Sequence, residues 1–355
     1  MATYASPLST RSFGNLSDGR EVHACTLVNT HGLLLEVVTY GGIVTRLLVP
    51  DRDGRVADVV LGFKRLEDYL AGHPYFGAIA GRVAGRITNG CFTLDGRTYE
   101  LAQNQPPNHL HGGKMGFDQR LWTIDAPPVQ RGSTSVRLSL RSPDGEEGYP
   151  GNVNASVTYT LTDQNEFHFE TEVTTDRATP VSLTHHGYFN LSGEGSGSVL
   201  DHQVQIHADD FAPTDDAMTL LGRRESVDGA GNDFRQPRRL GDALPQVFRQ
   251  HGDLYFVRPA NQTTRELVPA ARVVDPRSGR ALEVRTTEDC LQFYSGVSLD
   301  GSLRGKSGIA YGPHAGLCLE AEGYPDPVNV LALGNIILRP GETRRHTTVY
   351  SFSNV

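Results

Sequence analysis

Val153-Asn154-Ala155-Ser156-Val157-Thr158-Tyr159-Thr160 alternates apolar and polar residues, the period of a strand with one face buried and the other wet. The same period recurs upstream in Ser135-Val136-Arg137-Leu138-Ser139-Leu140 and downstream in Glu166-Phe167-His168-Phe169-Glu170. Further out, Cys91-Phe92-Thr93-Leu94 and Arg97-Thr98-Tyr99-Glu100-Leu101 flank Asp95-Gly96, a pair suited to a type I′ hairpin turn. The 39 glycines and 20 prolines punctuate such runs at short intervals. Helical periodicity is poor, and Lys64-Arg65-Leu66-Glu67-Asp68-Tyr69-Leu70 is the best short candidate. No fixed-period repeat, low-complexity linker or break in composition divides the chain. Many short strands without βαβ alternation predict an all-β fold, a single large antiparallel β-sandwich over residues 1–355.

Composition narrows the function classes. Hydrophobic residues make up 38% of the chain, enough for a core, yet no segment approaches the unbroken apolar run of a membrane helix. The opening Met1-Ala2-Thr3-Tyr4-Ala5-Ser6-Pro7 lacks the basic flank and apolar stretch of a secretory signal. A scattered net charge of −8 gives no footprint for nucleic acid or an anionic membrane. Cys25, Cys91, Cys290 and Cys318 are far apart and form no CxxC pair, so free thiols in a reducing compartment are expected. These features predict a soluble cytoplasmic protein with neither nucleic acid nor membrane as partner.

Chemistry concentrates in a few segments. Thr184-His185-His186-Gly187-Tyr188-Phe189-Asn190-Leu191 sets two histidines in an apolar strand, where they point to opposite faces. Asn108-His109-Leu110-His111-Gly112-Gly113 follows Pro106-Pro107; extended, it puts His109 and His111 on one face, and its glycines let backbone approach a ligand. A histidine satisfied by backbone carbonyls fits either position equally well. Gly81-Arg82-Val83-Ala84-Gly85-Arg86 offers two guanidiniums, forks for carboxylates, phosphates or vicinal hydroxyls, although most arginines lie on surfaces. In Leu317-Cys318-Leu319-Glu320-Ala321-Glu322 the two carboxylates share a face, and a half-buried Glu320 is either chemical or paired with an arginine. Asp253 sits at a glycine turn, where capping is its commonest role. Gln292 and Tyr294 share a strand face, as a sugar contact or as core. Pro143-Asp144-Gly145-Glu146-Glu147-Gly148-Tyr149-Pro150-Gly151 lacks EF-hand spacing and reads as an ordered surface loop.

Taken in order from about Gly42 to Ser351, these segments resemble the aldose 1-epimerase (galactose mutarotase) family, whose fold is a supersandwich of antiparallel strands. The resemblance implies that Glu320 is the general base on the anomeric hydroxyl and His186 the general acid on the ring oxygen. It implies that His111, Arg86, Asp253 and Gln292 hold the sugar, that no metal or cofactor takes part, and that the protein is a monomer or homodimer. The residue types suit ring opening, because a carboxylate and an imidazolium tuned by burial both work near neutral pH. Relatives usually carry Asn at Gly85 and at His185, a small hydroxyl residue at Gly187, Thr-Gln at Ala321-Glu322 and His-Asn at Leu254-Tyr255. The resemblance makes mutarotation of a free aldose, interconverting its α and β anomers, the first reading. The departures raise a second, the same chemistry on a modified sugar or the lactol of a secondary metabolite. A carbohydrate-binding protein without turnover is a third, and a metal-dependent cupin-like enzyme using His109, His111 and His186 a distant fourth. Glu322, if close to Glu320, raises one of the two carboxyl pKa values by like-charge repulsion.

Overall fold

The alternation over Val153–Thr162 becomes a strand in which Val153, Ala155, Val157 and Tyr159 are buried and Asn154 is exposed. A computed structural model of the chain describes residues 8–125, 132–259, 265–326, 329 and 333–355. Among the described residues this strand belongs to a nine-stranded antiparallel sheet, paired on either side with Ser133–Ser142 and Glu166–Thr175. Beyond Glu166–Thr175 the sheet continues through Thr343–Asn354, Arg280–Thr286 and Val268–Val274.

A second, six-stranded sheet runs Tyr188–Phe189, Leu317–Glu322, Cys290–Tyr294, Leu254–Phe256, Asp210–Ala212 and Glu225–Ser226. The two sheets meet in one apolar core: Phe167, Phe169 and Tyr350 from the first pack with Phe293, Leu317 and Leu319 from the second. Each such side chain taken out of water contributes about 1.5–3 kcal/mol. A five-stranded sheet over Leu8–Asp58 joins the same core through Leu35, Val37 and Leu47. The result is the all-β antiparallel sandwich that the strand patterning predicts.

Local expectations hold as well. The hairpin forms with Leu94 opposite Arg97, and Asp95 and Gly96 take the positive φ values (50° and 77°) that a type I′ turn requires. Leu66–Leu70 is a short helix that buries Leu66 and Tyr69. All four cysteines are free. No helix among the described residues is long and apolar enough to cross a membrane.

The strand Leu317–Glu322 has two unlike faces. Leu317, Leu319 and Ala321 face the core between the sheets, while the strand's period of two turns Cys318, Glu320 and Glu322 to the other side. All six residues are buried.

Candidate active site

Arg86, His111, His186, Asp253, Gln292 and Glu320 all line one cavity of about 310 Å³ on that second face. Sheet register brings part of this set together. Gln292 stands opposite Glu320 on one side and opposite Leu254, next to Asp253, on the other. His186 arrives from the strand Thr184–His186, which pairs with Ala78–Ala80. Arg86 and His111 come from a short pairing of Arg86–Ile87 with His109–Leu110.

His186 Nε2 and Glu320 Oε2 lie 3.4 Å apart, and both side chains are buried. The His186 ring stacks on Tyr75 (centroids 5.5 Å, 19°) and on Tyr188 (5.2 Å, 13°), which fixes its plane. His111 meets the same ring nearly edge-on at 5.1 Å. The Gly85 N–H donates to His111 Nδ1 (3.1 Å), and the His111 N–H donates to the Gly85 carbonyl (3.1 Å). With Nδ1 accepting, a neutral His111 carries its proton on Nε2. Arg86 Nε donates to Gln105 Oε1 (2.6 Å), and Asn232 Nδ2 donates to Asp253 Oδ2 (2.8 Å).

Burial dominates the electrostatics. It pushes the Glu320 carboxyl up to about 8, against the pull of the Arg86 guanidinium. Glu322 is driven well above the carboxylate range, first by burial and then by Glu320. Burial takes His186 down to about 3, and His111 also falls well below its ordinary value. Asp253 rises to about 6 for the same reason, opposed by its bond from Asn232. Between these limits the Glu320–His186 pair holds a single proton. Donor atoms of His111, His186 and Glu320 also fall within 4.8 Å of one another, a spacing that a metal ion could occupy.

The structure sorts the segments that the sequence left open. His185 and His186 do point to opposite faces. His185 enters an aromatic cage of Phe167, Phe169, Phe189 and Tyr350, where neither ring nitrogen has a hydrogen-bond partner among the described residues. His109 and His111 do not share a face, because His111 takes φ 50° and the extended backbone ends. His109 Nδ1 instead bonds the Ala102 carbonyl and Nε2 the Tyr149 hydroxyl, both at 2.7 Å, so a ligand set of His109, His111 and His186 does not form. Gly112 serves backbone packing rather than a ligand: a Cβ there would fall 1.7 Å from the Gly81 carbonyl oxygen.

Arg82 is likewise structural. Fully buried, it donates to the carbonyls of Pro150 (2.9 Å), Gly151 (3.1 Å) and Pro143 (3.2 Å), and so clamps the Pro143–Gly151 loop. Of that loop's acids, Glu147 accepts the backbone N–H groups of Lys114 and Met115, each at 3.0 Å. Sequence reasoning missed Tyr75. Its setting, His73-Pro74-Tyr75-Phe76-Gly77, is the only signal: an aromatic pair between breakers, with Tyr75 at φ 61°.

Known proteins resemble this chain in sequence and in fold. The family description "Aldose 1-epimerase" matches residues 23–351. The chain is 45% identical to a galactose mutarotase of Sus scrofa, covering 97% of this chain and 98% of that one. It is 36% identical to an aldose 1-epimerase of Escherichia coli K12, covering 94% and 96%. Among solved structures it resembles an aldose epimerase homologue from C. elegans (TM-score 0.85, 29% identity, 93% and 98% covered). A galactose 1-epimerase from Lactobacillus acidophilus is comparably similar (TM-score 0.83, 28% identity, 98% and 99% covered).

Proposed function

The chain belongs to the aldose 1-epimerase family, and from that membership we propose that Glu320 and His186 carry the proton transfers of its reaction. The protein is an isomerase that interconverts the α and β anomers of a free aldose. By analogy with the porcine galactose mutarotase, galactose is the first sugar to try.

Glu320 takes the proton from the anomeric hydroxyl while His186 gives one to the ring oxygen, so the C1–O5 bond breaks and an aldehyde forms. Rotation about C1–C2 presents the other face of the carbonyl. Reversal of both transfers closes the ring. The observation that carries this assignment is the 3.4 Å approach of buried His186 Nε2 to buried Glu320 Oε2 in the wall of the cavity. The two reacting oxygens share one carbon, so their acid and base must stand close together. The cycle keeps one proton on the pair, on His186 before ring opening and on Glu320 after it. Burial leaves that proton on Glu320 in the free protein, so sugar binding must first move it to His186. Arg86 favours the carboxylate form that begins the cycle.

Around this pair we assign His111, Arg86, Asp253 and Gln292 to the sugar hydroxyls. His111 Nε2–H and the Arg86 guanidinium are donors and Asp253 an acceptor, the mixture that a neutral polyol requires. Protons move between groups already in the cavity, so the reaction as proposed draws on no metal or organic cofactor. Each transfer is worth about 10²–10⁴ in rate, or roughly 3–5 kcal/mol.

Polarimetry of freshly dissolved α-D-galactose and α-D-glucose tests the assignment. The wild type is expected to outpace buffer, with Glu320→Gln and His186→Asn each slower by about 10²–10⁴. Equal rates in all three proteins would overturn the roles.

A further inference from the structure

Glu322 stands two residues beyond Glu320 on the same strand face and lines the same cavity. It is 1% exposed, and its Oε2 has no hydrogen-bond partner among the described residues. Burying a carboxyl without a partner is costly, so such a group calls for an explanation. Gly85 faces it. A Cβ on Gly85 would stand 2.8 Å from Glu322 Oε1 and 2.6 Å from Pro325 Cβ, and its φ of +76° disfavours any side chain. Gly85 thus packs its backbone directly against the carboxyl, and both residues line the cavity.

We propose that Glu322 is a specificity-determining residue, its carboxyl hydrogen-bonding a substrate hydroxyl other than the anomeric one at the cavity wall beside Gly85. The role rests on the epimerase reading. Alternate residues of a strand stand about 6.6–6.8 Å apart, so Glu322 reaches past the group held at Glu320 to another part of the sugar. The charged and titratable groups that act on it are Glu320 on its own strand, Cys290 opposite in register, Glu288 and Arg86. Arg86 is the one cation of that set beside several acids. Burial, with Glu320 adding to it, holds the Glu322 carboxyl above the carboxylate range, so Glu322 is the neutral acid and donates through its O–H. An amide can replace that donor, and a methyl group cannot.

The test is saturation kinetics by polarimetry on D-galactose and its 2-, 3-, 4- and 6-deoxy analogues. Glu322→Ala is expected to raise KM for galactose about tenfold, the worth of one good hydrogen bond, with kcat changed less than about threefold. Glu322→Gln should recover most of that loss, and for one deoxy analogue alone Glu322→Ala should cost nothing further. Gly85→Ala, whose methyl crowds the same carboxyl, is expected to raise KM for galactose but not for that analogue, which keeps the test open if Glu322→Ala does not fold. An unchanged KM on every sugar, or an equal fall in kcat across the series, would overturn the role while leaving the epimerase reading intact. A wild-type preference for an amino sugar that Glu322→Gln abolishes would also overturn it, because Glu322 would then be an anion. A wild type no faster than buffer on every sugar would defeat both readings.

Discussion

Raising the pH from 7 to 9 is expected to lower kcat/KM about tenfold. The proposed Glu320–His186 pair turns over only while it holds one proton. Burial sets the upper limit of that state through Glu320, at about 8. About nine-tenths of the molecules therefore carry the proton at pH 7 and about one-tenth at pH 9. The sign follows from the chemistry: the molecule that has lost its proton keeps a base but has no acid for the ring oxygen. Arg86 holds the Glu320 value down, so Arg86→Gln should carry the alkaline limb to higher pH, whatever it does to KM. Initial polarimetric rates between pH 6 and 10, with the buffer rate subtracted, give the profile. A profile flat to pH 10, or a limb that moves to lower pH in Arg86→Gln, would refute the one-proton account.

Two further expectations concern stability. Arg82→Leu strands the carbonyls of Pro143, Pro150 and Gly151 and should cost about 3–5 kcal/mol, seen as a lower midpoint in urea, and a wild-type midpoint would count against the clamp. His185 sits neutral in its aromatic cage, with burial taking it to about 3, whereas the unfolded chain takes up that proton below about pH 6.5. Its contribution is thus lost as pH falls through that value, at about 1.4 kcal/mol per pH unit, and His185→Phe abolishes the loss. Urea unfolding at pH 7.5 and 5.5 should show the variant gaining on wild type at the lower pH; an equal gap at both would disprove it.

Much of this architecture is legible in the residues because strands advertise themselves by alternation. Val153–Thr160 buries every second residue as written, and Asp95-Gly96 turns as its residue types demand. The same period separates His185 from His186 and aligns Glu320 with Glu322. Legibility ends where the backbone leaves the extended state. Alternation puts His109 and His111 on one face, yet one residue at positive φ divides them, sending the first to Ala102 and Tyr149 and the second to the cavity. Arg82 and Arg86 look alike in sequence, and only the path of the Pro143–Gly151 loop makes one a clamp and the other a cavity wall. Tyr75 leaves only a faint local signal in the sequence because its role depends on meeting His186, more than a hundred residues along the chain.

The strand Leu317–Glu322 shows neither face to water. Its amide hydrogens, buried in a strand that pairs with Cys290–Tyr294 along one edge and with Tyr188–Phe189 at Leu317 and Cys318 on the other, exchange with solvent only when the sandwich opens as a whole. The clock for motion at Glu320 is then the clock of global unfolding, and the two are measured together by exchange at Leu319 and Ala321. Heating would end turnover by emptying the folded population rather than by loosening the base, so activity and fold should fail at one temperature.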